Sequence, residues 1–405
     1  MKISAVWARE ILDSRGNPTV EVDVFCEAAF GSAAAPSGAS TGVHEAVELR
    51  DGDHRYHGKG VHKAVSNVIN IIGPALVGQE LDQQVIDRKM MELDGTKDKS
   101  NLGANALVAT SMACMRAKAA SEGKMLHEVL GGTKLPHAMF NIVNGGKHAG
   151  NSLAIQEFMI IPEAPSFRER LRMASEIYHT LGKMLVKKYG PSAKNVGDEG
   201  GFAPSIGNTY EALDAISAAV EEAGYQSSCG FALDCAASSF WKNGKYEIDG
   251  KTLSEHDLVD YYGDLVKTYP IISIEDPFYE ENFEAFAVLN KELKDVQVVG
   301  DDLVVTNVER LRQAIEHESI SALLLKINQI GTVTEAMDAA KLCRENNLNI
   351  IVSHRSGETE DSFIADFAVG IESGQIKTGA PARGERTAKY NQLLRLEERI
   401  ALSEA

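Results

Sequence analysis

Lys326 stands in the run LLLKINQIG (323–331), where three leucines lead straight into an ammonium group and an isoleucine follows it. The run reads as a buried strand, and an unpaired buried charge is expensive. The lysine therefore needs a partner or a reason to shed its proton. Beside a dication in a low-dielectric setting its pKa is expected to fall, and a lysine that can deprotonate is a general base. The competing reading is a salt bridge to Asp301 or Glu275. Those two acids and Asp234 end other short apolar runs: GFALD (230–234), PIISIED (270–276) and VQVVGDD (296–302). Three carboxylates brought together repel, and a hard divalent cation with oxygen ligands, Mg²⁺ before others, would neutralise them. Taken singly, each acid could instead cap a following helix or pair with a neighbour. In NIIVSHRSGETED, His354, Arg355 and Ser356 form a donor set suited to a phosphate or carboxylate. An ion pair of Arg355 with Glu358 or Asp361 is the alternative there. Lys377, in QIKTGAP, offers a second positive group or is a solvated strand end.

Three Gly-rich segments carry further candidates. APSGASTGVHE (35–45) has the small, polar character of a mobile lid, or of an ordinary linker loop. FNIVNGGKHAGNSLAIQEFMI (140–160) supplies His148 on a Gly turn, then Gln156 and Glu157 before an apolar run. NVGDEGGFAP (195–204) presents Asp198 and Glu199 between glycines, which is either turn chemistry or a carboxyl group held in a site as an acid.

Some scaffold must bring these residues together. From residue 230 onward, short apolar runs ending in polar residues recur roughly every 25 residues after an irregular first gap, the length of a strand–helix unit. Continuous apolar runs suit a parallel sheet covered on both faces. A closed α/β barrel is the natural reading, and its reactive residues sit at the C-terminal strand ends. Upstream, 19–35 alternates like a hairpin, while 61–77 and 104–121 carry helical periodicity. The expected fold class is therefore α/β: a smaller α+β N-terminal domain (1–125) before a TIM-type barrel (136–405). No GxGxxG follows a first strand and no Walker A sequence occurs, which weakens a Rossmann or P-loop reading.

Bulk properties narrow the function class. A chain of 405 residues suggests about two domains. A formal charge of -17 argues against a broad nucleic-acid surface. Five cysteines without a CxxC pair suggest neither a zinc site nor a disulfide framework, and fit a reducing cytoplasm. The first residues, MKISAVWAREIL, hold too short an apolar run for a signal peptide. No run approaches the ~20 apolar residues of a membrane helix, so a cytoplasmic protein is expected.

Together the segments resemble the enolase family. The resemblance spans essentially the whole chain, from AREILDSRGNPTVEVDV through PSGASTGVHEAVELRDGD, NVGDEGGFAP, SIEDPF, GDDLVVTN and VSHRSGETED to IKTGAPARGERTAKYNQLLRLEE. It implies a barrel departing from simple (βα)8 order and the reversible, Mg²⁺-dependent loss of water from 2-phosphoglycerate to give phosphoenolpyruvate. Carried over by position, Lys326 would remove the C2 proton, and Glu199 would protonate the departing C3 hydroxyl with Glu157 assisting. Asp234, Glu275 and Asp301 would hold one Mg²⁺; Ser40 would help hold a second that arrives with substrate. Arg355 and Ser356 would bind the phosphate, and His148, Gln156, His354 and Lys377 would complete the substrate's surroundings. On this reading Lys326 must be neutral while Glu199 is protonated. A homodimer or a larger ring of dimers is implied, with no direct nucleic-acid contact. Departures are Ser239 where the family often has Glu, Cys235 at a variable position, PARGER in place of Pro-Cys-Arg-Ser-Glu-Arg, and a somewhat shorter chain. None touches a proposed catalytic residue. Another acid dehydratase of the superfamily would need neither Glu199 nor the Arg355–Ser356 set. A scaffold role would be additional, because the base, the acid and the metal carboxylates are all present.

Overall fold

The computed structural model describes residues 1–39 and 42–403. Three strands, β1 (Ile3–Leu12), β2 (Pro18–Cys26) and β3 (Ala29–Ala34), form an antiparallel meander. The expected hairpin is β2–β3; β1 joins it as a strand the pattern reading did not single out. Val20, Val22 and Val24 alternate onto the buried face. That face meets the helix Ala104–Ser121, and a Cβ on Gly31 would lie 2.2 Å from the Ala113 carbonyl oxygen. The alanine-rich sequence of the helix thus serves close backbone approach to the sheet. Residues 61–77 are helical as expected, but with a π segment, Val68–Ile72, between two α-helical pieces.

The barrel begins with β4 (His137–Asn144), β5 (Glu157–Pro162) and β6 (Cys229–Asp234). A small meander follows: β7 (Trp241–Lys242), β8 (Lys245–Ile248) and β9 (Lys251–Leu253). Then come β10 (Ile271–Glu275), β11 (Gln297–Gly300), β12 (Ala322–Leu325), β13 (Asn349–Ser353) and β14 (Gly374–Lys377). The barrel closes in the order β4-β5-β6-β10-β11-β12-β13-β14. Its pairings are parallel except at β5, which runs antiparallel to both neighbours. A turn rather than a crossover helix connects β4 to β5, so the chain reverses there. The simple strand–helix order is broken at that point.

Two apolar clusters hold this domain. The larger lies between the strands and the surrounding helices and continues into the N-terminal layers. The smaller fills the barrel: Met139, Met159, Ile161, Ala232, Val299, Ala322, Leu324 and Ile351. In β12, Leu323 and Leu325 face the helices while Leu324 faces inward. Lys326 has the parity of Leu324, so period-2 alternation directs it to the interior side. Among the described residues, no helix is long and apolar enough to cross a membrane.

Candidate active site

The same parity places the strand-end residues of the site. Two residues beyond inward-facing Ala232, Val299 and Leu324 stand Asp234, Asp301 and Lys326. Two beyond Met139 is Asn141. On reversed β5 the count runs backward, and Glu157 stands two residues before Met159. Reversal brings the first residue of β5 to the mouth, in register with Asp234 at the end of β6. Helix capping does not compete for these acids: the helices after β6, β10 and β11 take Ser254, Asn282 and Asn307 as their N-caps. The capping alternative thus fails for Asp234, Glu275 and Asp301.

A cavity opens at this mouth. Lys326, Glu199, Glu157, His148, Gln156, His354, Arg355, Ser356, Lys377, Asp234 and Asp301 all line it. Glu275 lies just behind, bonded to Lys377. Ser40 falls outside the described residues. Nearby, Ser37 and Gly357 exchange backbone hydrogen bonds at 2.8 Å, and the Ala39 amide donates to Ser356 Oγ at 2.7 Å. The base of the Gly-rich segment therefore rests on the loop that carries Arg355 and Ser356.

Lys377 is 2 % exposed, which rules out a solvated strand end. Its Nζ lies 2.7 Å from Glu275 Oε2, 2.9 Å from Asp234 Oδ2 and 3.2 Å from Glu157 Oε2. Lys326 Nζ lies 2.5 Å from Asp301 Oδ2. The salt-bridge reading of Lys326 is thus realised. Burial lowers its pKa, but Asp301 and Glu275 outweigh burial and raise it. A carboxylate at hydrogen-bond distance stabilises the ammonium; the fall expected from sequence was the one beside a dication.

The carboxyl groups across the cavity divide unequally. Burial and the adjacent Glu199 push Glu157 well above the usual carboxylate range. Burial acts on Glu199 too, yet His354, His148 and the Arg386 charge hold it well below that range. Asn141 Nδ2 donates to Glu199 Oε2 at 3.1 Å, and His148 Nδ1 approaches Glu199 and Glu157 at 3.5 and 3.7 Å. Two close buried acids cannot both ionise cheaply. The surroundings thus raise Glu157 and lower Glu199; the protonated Glu199 implied by the resemblance belongs to the step in which it acts as the acid. Burial lowers His354 to about 3, with Arg386 and Lys377 adding to it, so its ring is neutral. Glu199 reaches the mouth on a tight turn in which the Gly197 amide donates to the Gly201 carbonyl. A Cβ on Gly197 would sit 2.3 Å from the His148 carbonyl oxygen, so only glycine lets this turn lie against the β4–β5 connection.

Arg355 does form an ion pair, but with neither expected partner. Its Nη1 and Nη2 reach Glu45 Oε2 and Oε1 at 2.9 and 3.1 Å, a bidentate contact with the N-terminal domain. Glu358 pairs with Lys389, and Asp361 with Arg116.

Several residues here escaped the sequence reading. Glu45, Asp276 and Asp302 also line the cavity. Oxygens of Asp276, Asp301 and Asp302 gather within 4.8 Å, as do ligand atoms of His148, Glu157 and Glu199. Asp276, at φ 43, accepts the Asp301 and Asp302 amides at 3.0 and 2.8 Å. It thereby shapes the end of β11. Burial and Asp301 raise Asp302 to about 7. The doubled acids in IEDP and GDDL were the available signal, and only the first of each pair was read.

These acidic groups could hold a metal ion. The donor set is carboxylate oxygen, suited to a hard cation. Buried Glu275 Oε1 has no hydrogen-bond partner among the described residues, an unmet acceptor that a cation would satisfy.

Comparison with known proteins gives concordant findings. The family model described as Enolase, N-terminal domain, matches residues 3–130, and that described as Enolase, C-terminal TIM barrel domain, matches residues 132–405. The chain is 57% identical over 408 residues to a protein named Enolase from Methanocaldococcus jannaschii, covering 99% of this chain and 96% of the relative. The Enolase of Methanothrix thermoacetophila is 57% identical, with 100% and 97% covered. That of Methanosarcina barkeri is 58% identical over 404 residues, with 98% and 94% covered.

Proposed function

Because the chain belongs to the enolase family, we propose that it is a hydro-lyase interconverting 2-phosphoglycerate and phosphoenolpyruvate in glycolysis and gluconeogenesis. The observation that carries this reading is the opposition across one cavity of an amine, Lys326, and an acid pair, Glu157 and Glu199. One side removes a proton; the other delivers one.

The C2 proton lies beside a carboxylate and is a very weak acid, since its loss leaves a dianionic enediolate. Lys326 Nζ takes that proton. The acid pair shares one proton, which rests on Glu157, and Glu199 delivers it to the departing C3 hydroxyl. Hydroxide leaves poorly without such help. Arg355 and Ser356 bind the phosphate; His148, Gln156, His354 and Lys377 orient the rest of the substrate. Asp234, Glu275 and Asp301 would hold one Mg²⁺ and Ser40 would contribute to a second. Bound there, Mg²⁺ supplies counter-charge to the developing enediolate and to Asp301, which otherwise keeps Lys326 protonated. We assign the capping role to residues 1–125 and the chemistry to residues 136–405. Five buried, unpaired cysteines support a cytoplasmic setting, and the family suggests a homodimer or a ring of dimers.

The test follows near-UV absorbance of the enol phosphate after 2-phosphoglycerate is mixed with the protein, first with Mg²⁺ and then with a chelator. A rise that needs Mg²⁺ is expected. No rise from a folded protein that binds Mg²⁺ would overturn the substrate assignment.

A further inference from the structure

Arg386 is 0 % exposed, lies in the helix Gly384–Ser403, and has no role in the chemistry described above. Its Nη1 sits 2.7 Å from His354 Nδ1 and donates to the Arg355 carbonyl at 2.7 Å. Its Nη2 donates to the carbonyls of Asp198, at 2.9 Å, and Ser356, at 2.6 Å. Four terminal N–H bonds thus meet four acceptors, provided that Nδ1 is one of them. A guanidinium has only donors and does not lose its proton in proteins. Nδ1 must therefore carry a lone pair. A proton on Nδ1, in the other tautomer or in the cation, would set two N–H groups head to head at 2.7 Å. The single ring proton is left on Nε2, which lies 3.4 Å from Glu199 Oε2.

We propose that Arg386 is a positioning residue that locks His354 as a neutral donor with its Nε2–H toward Glu199, leaving acid delivery to the Glu157–Glu199 pair alone. The proposal rests on the reading that Glu199 and His354 face the substrate. The guanidinium also ties the turn carrying Glu199, through the Asp198 carbonyl, to the loop carrying Arg355 and Ser356. It sets the spacing between the acid and the phosphate site as well as the tautomer. The charged groups facing the ring are Glu199 from its turn, Lys377 from β14 and Arg386 from the last helix; His148 shares the Glu199 carboxylate. Burial first, then Arg386 and Lys377, oppose a second ring proton, and Glu199 favours it. Without Arg386, burial and Lys377 still oppose an imidazolium but with less in sum, and one formed there would compete with Glu157 and Glu199 for the proton of the site.

The test is ring-¹⁵N NMR of the full-length protein labelled on histidine, with the His354 signals assigned by their loss in His354→Gln. The expected spectrum shows unprotonated Nδ1 and protonated Nε2 throughout about pH 5 to 8, where a free imidazole titrates. A titrating ring, or a proton on Nδ1, overturns the proposal. The measurement needs no substrate, so failure to turn over 2-phosphoglycerate would sink the functional reading without touching the tautomer. In Arg386→Met, His354 is expected to titrate. Water loss should then gain an ionisation that the wild-type profile lacks, with roughly tenfold lower rate on its acid side. Exchange of the C2 proton should fall far less, and Arg386→Lys should restore the wild-type profile shape. Equal loss of exchange and water loss, with no new ionisation, would make Arg386 merely structural. If Arg386→Met does not fold, the wild-type spectrum decides alone.

Discussion

Lys326 and Glu199 line one cavity, with surroundings that favour the ammonium and the carboxylate, the states opposite to those the reaction uses. Asp301 holds the lysine protonated, and the imidazoles and Arg386 hold Glu199 ionised. The division of labour is nevertheless separable by mutation. Lys326→Ala is expected to lower exchange of the C2 proton with solvent deuterium by about 10²–10⁴-fold while phosphate binding survives. Exchange that persists would reassign the base. Glu199→Gln is expected to retain C2 exchange yet stop water loss, as read by comparing deuterium incorporation with absorbance. Equal loss of both would mean that acid and base are not distinct. At this scale the sequence was most legible where chemistry and pattern coincide: a lysine after three leucines, an acid ending each apolar run. It was least legible for Glu45, whose charge has no local oddity and whose partner Arg355 is far along the chain.

At the scale of elements, the contact between the two layers that frame the site is held by specific ionic links. Arg116, on the helix Ala104–Ser121, reaches both carboxylate oxygens of Asp361 at 2.8 Å, and the Ala34 amide donates to the same group at 3.0 Å. Burial works against the Asp361 charge, but Arg116 lowers its pKa below the ordinary value. A carboxylate whose folded pKa is depressed adds stability above its unfolded value, about 3.9, and loses it as pH falls through the folded value. Arg116→Gln removes the cation and leaves burial in control, which raises that pKa. The variant is expected to lose on the order of 3 kcal/mol at about pH 7, and the gap to wild type is expected to narrow as pH falls, because protonating Asp361 removes what Arg116 stabilises. Urea denaturation across a pH series reads both; a gap that does not narrow in acid would show that Asp361 does not depend on Arg116. The hairpin β2–β3, the helix 104–121 and the later strands were all legible from periodicity. The reversal of β5 was not, because Glu157–Pro162 has the same apolar texture whichever way it runs.

For the whole molecule, the cluster of acids at the mouth is a cost of folding that a bound cation would relieve. Glu275 is pushed up by burial and Asp234, and Glu157 by burial and Glu199. Anything that binds only the folded protein stabilises it by mass action, about 2.7 kcal/mol at a hundredfold excess over Kd. Adding Mg²⁺ is therefore expected to raise the thermal midpoint in a concentration-dependent way, and a chelator to reverse the rise. In Asp301→Asn the rise should shrink or vanish. A midpoint indifferent to Mg²⁺ would place the cation elsewhere.

The sequence by itself determined which residues could do chemistry, that they end strands of a barrel, and through alternation that they share its inner side. These properties are local: residue type, run length and a period of two travel with the chain. Only the tertiary structure decided which groups meet. It set Lys326 on Asp301, Lys377 among three acids, Glu45 on Arg355 and Arg386 on His354, and it turned β5 so that Glu157 reaches the mouth. It also decided where the protons rest, because a buried group's pKa follows from distances and desolvation that no stretch of sequence contains.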